Sequence, residues 1–249
     1  MKLHPTVLAA ALLFSACQST PASDAPRAPK AQDTARSEGR TLADLLPAPR
    51  SALKLDTTPL PLDELVLQLA KSTGLTFSID ESTVRPMLRE TRLSLSQPVV
   101  VQPADAYAWV ESQLLDRGYF LTCDPNVRPT LVSVHASRHA GSSHLVSIAA
   151  ESTDLEFLRA HPAFHFTVTA SFRHLDVRTV QSTLRPLLPN SDTTGVLPIL
   201  NTSSMVVRGT GRYVVQILEI LEKADAEAER NLAPGHMGPV DTRESKTLR

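Results

Sequence analysis

Phe164-His165-Phe166-Thr167-Val168-Thr169-Ala170-Ser171-Phe172 is the stretch that decides how the second half of this chain folds. Its apolar residues occupy every second position, and His165, Thr167, Thr169 and Ser171 fill the gaps. A strand turns successive side chains to opposite faces, so the alternation predicts a half-buried strand with one apolar and one polar side. Asp176 follows as an N-cap for a helix with Val177, Val180, Leu184 and Leu187 inward, closing near Pro186 and Pro189. Val196–Leu200 and Met205–Arg208 read as paired strands around Asn201–Ser204. Thr210 then caps a last helix whose inner face is Val214, Ile217, Leu218, Leu221 and Ala224. The order is β-α-β-β-α over residues 164–229, a three-stranded sheet with helices on one face.

Working upstream, Ser51–Asp56 alternates as a strand, and Pro61 opens a helix with Asp63 and Glu64 in its first turn. Leu62, Leu65, Val66, Leu69 and Ala70 share a helical face that Gly74 ends. Thr76–Ile79 and Arg92–Leu95 read as strands separated by a loop containing Pro86. Pro103 opens a second helix with Ala106, Val110 and Leu114 on one face, and Gly118 stops it. Tyr119–Cys123 and Thr130–His135 close the unit around Asp124, Pro125 and Asn126. Residues 51–137 thus form a β-α-β-β-α-β-β module. Residues 138–163 read as a connection, with a strand at Leu145–Ile148 and a helical turn near Leu155. The fold class is α+β, two small modules. Residues 230–249 are polar and aperiodic, the composition of a disordered tail.

The N-terminus is an address. Lys2 supplies a positive charge, Val7–Phe14 a short apolar run, and Ser15-Ala16 the small residues before Cys17. Leu12-Leu13-Phe14-Ser15-Ala16-Cys17 reads as a bacterial lipobox, with Phe14 in place of the usual aliphatic residue. Residues 1–16 are then a lipoprotein signal, and Cys17 is the lipidation site. The other reading is an ordinary secretory signal cleaved near Ala16 or Ala22, with Cys17 incidental. Residues 17–50 carry five prolines, mixed charges and no apolar period, the makings of a disordered tether. Such a tether averages about 30 Å end to end. Gln18 after Cys17 leans towards the outer membrane, facing the periplasm, by the sorting rule of enteric lipoproteins; the inner membrane is the alternative. With Cys17 acylated, Cys123 is the one thiol left, which excludes an internal disulfide. It is either a buried inert thiol or the donor of an intermolecular bridge. A net charge of −1 argues against a nucleic-acid surface.

The modules resemble the periplasmic N-terminal domains of secretins, the outer-membrane pores of type II and type III secretion and of type IV pilus systems. The first is similar to the secretin/TonB short N-terminal domain through Leu65-x-x-x-Leu-Ala-x-x-x-Gly74, Phe77-x-Ile-Asp80, Ala106-Tyr107, Leu114 and Gly118-Tyr119. The second is similar to the KH-like secretin repeat through Phe172-x-His-Leu-Asp176, Leu184-Arg-Pro-Leu-Leu188 and Ser204-Met-Val-Val-Arg-Gly-Thr210, leading into Ile217, Leu221 and Asp225. Thr202-Ser203-Ser204 departs from the repeat's usual Thr-Asn-Ser turn. The residues after Glu229 show none of the alternating strands of a membrane barrel, so the chain is expected to carry the secretin's periplasmic modules without its pore. The resemblance implies stacking into rings, hence a homo-oligomer, and contacts with a pore-forming secretin or an inner-membrane secretion component. A non-enzymatic accessory or partner subunit of such a machine is the expected role. A self-assembling periplasmic ring or scaffold unconnected with secretion is the alternative.

No chemistry-bearing constellation competes with binding. His135-x3-His139 and His161-x3-His165 have helical spacing but lie on strand ends and loops, and zinc wants convergent ligands. No Gly-x-Ser-x-Gly turn occurs, and Gly209-x-Gly211 lacks the rest of a phosphate loop. The expectation is no catalytic residue, cofactor or metal. Candidate partner-binding residues are the solvated polar side of the 164–172 strand (His165, Thr167, Thr169) and the exposed strand bearing Arg92, Ser94 and Ser96.

Overall fold

A computed structural model describes residues 41–139, 145–184 and 193–232. The expected signal with Cys17, the tether as far as Arg40, the helix stop at Pro186, Leu187 and Pro189, and the tail beyond Leu232 lie outside the described residues.

Residues 41–50, expected within the tether, are ordered. Helix α1 (Leu42–Leu45) starts on a capping box in which Thr41 and Asp44 satisfy each other's backbone N–H groups. Leu45 and Leu46 behind it are buried. The Arg50 N–H donates to the Ser72 carbonyl at 2.7 Å, and the Tyr107 hydroxyl donates to the Pro47 carbonyl at 2.9 Å. Proline-rich composition masked two leucines that seal the first core.

The first module runs β1 (Leu53–Leu55), β2 (Leu60–Pro61), α2 (Leu62–Thr73), β3 (Thr76–Ile79), α3 (Val84–Glu90), β4 (Arg92–Leu93), β5 (Val99–Val101), a 3-10 turn at Pro103–Asp105, α4 (Ala106–Leu115), β6 (Tyr119–Asp124) and β7 (Leu131–Ala136). β7 is central, parallel to β3 and antiparallel to β6. Two short antiparallel pairs, β1 with β5 and β2 with β4, flank this sheet. Leu62, Leu65, Val66 and Leu69 of α2 and Val110 and Leu114 of α4 are buried, as are Leu121, Cys123, Val132 and Val134 of the sheet. Gly74 (φ 75°) ends α2, in the left-handed conformation that glycine adopts without strain.

The expected loop around Pro86 is instead helix α3. Pro86 is its third residue, where a helix has no acceptor for the missing N–H. Asp80 starts the turn: its carboxylate accepts the N–H groups of Ser82 (2.8 Å) and Thr83 (3.0 Å).

The second module runs β8 (Ile148–Glu151), a 3-10 turn at Ser152–Asp154, α5 (Leu155–Ala160), β9 (His165–Ser171), α6 (Val177–Leu184), β10 (Gly195–Pro198), β11 (Ser204–Thr210) and α7 (Gly211–Leu232). Its sheet is four-stranded, in the order β10-β11-β9-β8, rather than three-stranded. The strand expected at Leu145–Ile148 lies instead at Ile148–Glu151, as β8, which pairs parallel to β9 with Ile148 opposite Phe166. Residues 148–160 therefore belong to this module, and α5 packs on α7. Phe164, Phe166, Val168, Ala170 and Phe172 are all buried, as the alternation predicts. Helix α7 continues through Leu232, into the segment expected as tail. It starts on Gly211, where an added Cβ would lie 2.3 Å from the His161 carbonyl oxygen.

Asp225 ties α7 to the turn after β9. Its carboxylate accepts the backbone N–H groups of His174 (2.8 Å), Leu175 (2.9 Å) and Arg173 (3.3 Å). Partial desolvation pushes the carboxyl up, but these donors outweigh it and hold the group below 3.8. Its stabilising contribution is therefore present above the ordinary carboxylate range and lost as pH falls through the lowered native value. Asp225→Ala should reduce stability at neutral pH by about 1–2 kcal/mol in urea unfolding, a deficit that shrinks as pH falls through the lowered native value.

Candidate partner-binding surface

The second sheet has helices on one face only: α6 packs on β10, and α7 on β9 and β11. Register assigns the other face. Leu197, Val206, Thr169 and Glu151 form one row across the four strands, and Gly195, Arg208, Thr167 and Ala149 the next. Thr169, Glu151 and Ala149 are exposed. Leu197 is 58% exposed, and Leu200 at the following turn is 74% exposed. These are the two most exposed large apolar side chains among the described residues.

The turn that presents Leu200 keeps its own backbone paired. The Ile199 N–H donates to the Ser204 carbonyl at 2.9 Å, and the Thr202 N–H and hydroxyl both reach the Ile199 carbonyl. Asn201 takes φ 63°, a left-handed conformation that asparagine tolerates. The outer edge of β10 is blunted. Gln181 Nε2 donates to the Val196 carbonyl at 3.2 Å, and Pro198 has no N–H to offer. A partner at this place would meet side chains on the face rather than extend the sheet.

The candidate residues divide. Thr169 is exposed; Thr167 is half-buried, its hydroxyl 2.7 Å from that of Ser147. Arg92, Ser94 and Ser96 are exposed, but the strand holding them is shorter than expected: β4 stops at Leu93 and pairs with β2.

His165 is the correction. It lies on the polar side of β9, as alternation requires, yet it is fully buried. The first module covers it, with the Phe120 ring centred 6.0 Å away. Its Nε2 donates to the Thr193 carbonyl at 2.8 Å. Nδ1 has no partner among the described residues, so a second proton would be buried without an acceptor. Burial, with Arg208 and His135 nearby, pushes the imidazole from 6.5 down to about 4, against the pull of the Thr193 carbonyl.

Two other histidines serve structure too. His135 Nε2 lies 2.9 Å from the Thr122 hydroxyl and its ring stacks on Phe120, and His161 meets Glu111. Among the described residues no group of three His, Cys, Asp or Glu side chains converges on a metal position. None of the described helices is long and apolar enough to cross a membrane. Leu197 and Leu200 escaped the sequence reading because Val196–Leu200 is a nearly continuous apolar run. Such a run reads as a strand buried on both sides.

No protein-family model matches the chain, and no curated protein does. Solved structures similar to it are secretin N-terminal domains and their complexes. One is a chain of the Klebsiella pneumoniae type II secretion system outer membrane complex, with PulD, PulS and the PulC HR domain. It is 16% identical with a TM-score of 0.49, over 68% of this chain and 26% of that one. This chain thus spans about a quarter of that neighbour's length. A second is the GspC–GspD complex of enterotoxigenic Escherichia coli, 13% identical at a TM-score of 0.26, covering 71% and 99% of the two chains. A third is the N-terminal domain of the Pseudomonas aeruginosa secretin XcpQ, 12% identical at 0.26, covering 70% and 64%. Overlaps of this size establish no family membership.

Because native His165 resists protonation, acid favours the unfolded chain between pH 6.5 and about 4. His165→Gln, which can still donate to Thr193, removes that term. The stability of the unmutated protein relative to this variant should therefore fall steadily across that window in urea unfolding. A constant difference from pH 7 to pH 4 would mean that the imidazole titrates in the folded protein as it does in water.

Proposed function

We propose that this chain is a non-enzymatic, secretin-type binding arm, an accessory or partner subunit of a type II secretion or type IV pilus-like machine. Lipid on Cys17 holds it to the outer membrane, facing the periplasm, and the segment as far as Arg40 gives it reach. Its partner is a pore-forming secretin or an inner-membrane secretion component. One observation carries the binding role: the open part of the second sheet's face, with Leu197 turned to solvent in the same row as Thr169 and Leu200 exposed at the turn that follows. The residues that carry the secretin resemblance support the rest, because they hold structural posts. Gly74 and Gly118 take positive φ, and Asp225 binds the backbone of the His174-Leu175 turn.

Crosslinking in intact envelopes followed by pull-down should recover a secretin or an inner-membrane secretion protein. Leu197→Glu with Leu200→Glu should cut that recovery at least about tenfold without lowering the melting temperature, since both side chains are already in water. Recovery of neither class with the unmutated protein would sink the reading. The same exposed leucines favour a second reading, in which the face meets another copy in a ring or scaffold. Sizing separates the two, because a ring protein assembles alone and loses its assembly in the double variant. The anchor has its own test. Cys17→Ser should move the folded protein from the membrane fraction to the soluble fraction, and retention on the membrane would show the attachment misassigned.

A further inference from the structure

The two modules meet around one residue, Ala163. Its N–H donates to Glu111 Oε2 at 2.9 Å, and its carbonyl accepts the Leu121 N–H at 2.9 Å. Glu111 belongs to α4 and Leu121 to β6, both in the first module; Ala163 leads directly into β9 of the second. The other carboxylate oxygen, Oε1, lies 3.0 Å from His161 Nδ1. His161 is enclosed by Tyr107, Phe157 and Phe164, with ring centres 4.7, 4.5 and 5.7 Å away. Glu111 has no exposed surface at all, and its burial pushes the carboxyl above 4.5 despite the donors from His161 and Ala163. A carboxylate on the core side of a helix is a poor way to stabilise one module by itself, because a leucine would fill the space without the desolvation cost. Both acceptor atoms of Glu111 are spent on the other module.

We propose that Glu111 is an inter-module latch: by gripping Ala163 and His161 it makes the two modules a single rigid, cooperatively unfolding arm rather than two domains on a string. Beside it stand the buried backbone bond from Leu121 to Ala163, which no side-chain substitution removes, and weaker contacts around it. Arg212 and Asp116 form an ion pair at 2.8 Å, but both side chains are about half exposed, and such pairs couple weakly. The Phe120 ring between His135 and His165 contributes packing and no directional bond across the junction. This inference does not depend on what the arm binds.

The full chain carrying Cys17→Ser supplies the test. Trp109, the one tryptophan, sits on α4 and reports the first module by fluorescence. Amide hydrogen exchange of β9 and β11, read by mass spectrometry, reports the second. With Glu111 intact, both probes should give the same urea midpoint. Glu111→Ala should part the midpoints by roughly 1 M urea. Should the alanine variant fail to fold, Glu111→Leu keeps the packing volume, removes the acceptor and should part them likewise. Glu111→Gln retains an acceptor for the Ala163 N–H and should keep the midpoints together, as should Arg212→Ala. Coincident midpoints that merely shift down together in the alanine or leucine variant would overturn the latch and make Glu111 an ordinary core residue. Separate midpoints with Glu111 intact would overturn it as well.

Discussion

Strand β9 is the constraint on which the rest of the structure depends, because it is buried from both sides over the half nearest the first module. Phe164, Phe166 and Val168 face α5 and α7 in their own core, while His165 faces β6 and the Phe120 ring. A strand so placed cannot slip in register. A one-residue shift would drive phenylalanines into the His165 site and the imidazole among aliphatic side chains. Register at β9 then propagates through its neighbours: antiparallel to β11 over seven pairs from Ser204–Ser171 to Thr210–His165, and parallel to β8. The N-terminus of α7 is fixed at the same place, where the Gly211 N–H donates to the Phe164 carbonyl and the Arg212 N–H to that of Pro162.

Much of this was legible in the residues. Alternation over 164–172 marks the strand and its buried side, the α2 stripe marks its inner face, and Gly74 marks the end of α2, because each rests on a local rule of backbone geometry. What stayed hidden has physical causes. The α3 turn was masked by Pro86, a helix breaker except in the first turn, which is where it sits. The strand expected at Leu145–Ile148 lies at Ile148–Glu151, because its bounds are set by parallel pairing with β9, Ile148 opposite Phe166, a non-local contact that no window of sequence contains. For His165 the side was legible and its cover was not. Alternation tells which way a side chain points and says nothing of what packs there.

That last point reshapes the candidate surface. The polar side of β9 is not one surface but a gradient: His165 sealed, Thr167 half-covered and bonded to Ser147, Thr169 and Ser171 open. The first module ends the available face at one end, and the β10–β11 turn with Leu200 ends it at the other. The apolar contribution comes from β10 and β11, through Leu197 and Val206, rather than from the strand whose pattern is clearest.

The blunted edge and the open face together limit how a partner can be read. Added strands recognise backbone, so they bind with little dependence on side-chain identity. With the Val196 carbonyl already accepting from Gln181 and Pro198 lacking an N–H, β10 offers little of that generic affinity. A contact made through Leu197, Val206 and Thr169 would instead depend on shape and on removing water from apolar side chains, and so would be selective and sensitive to single substitutions. A face of this kind is most discriminating when it is held at a fixed angle, since a partner then loses little conformational freedom on binding. The same β9 that presents Thr169 outward is bonded at its other end, through Ala163, to the helix and strand of the first module. Orientation of the face is thus set by buried contacts remote from it.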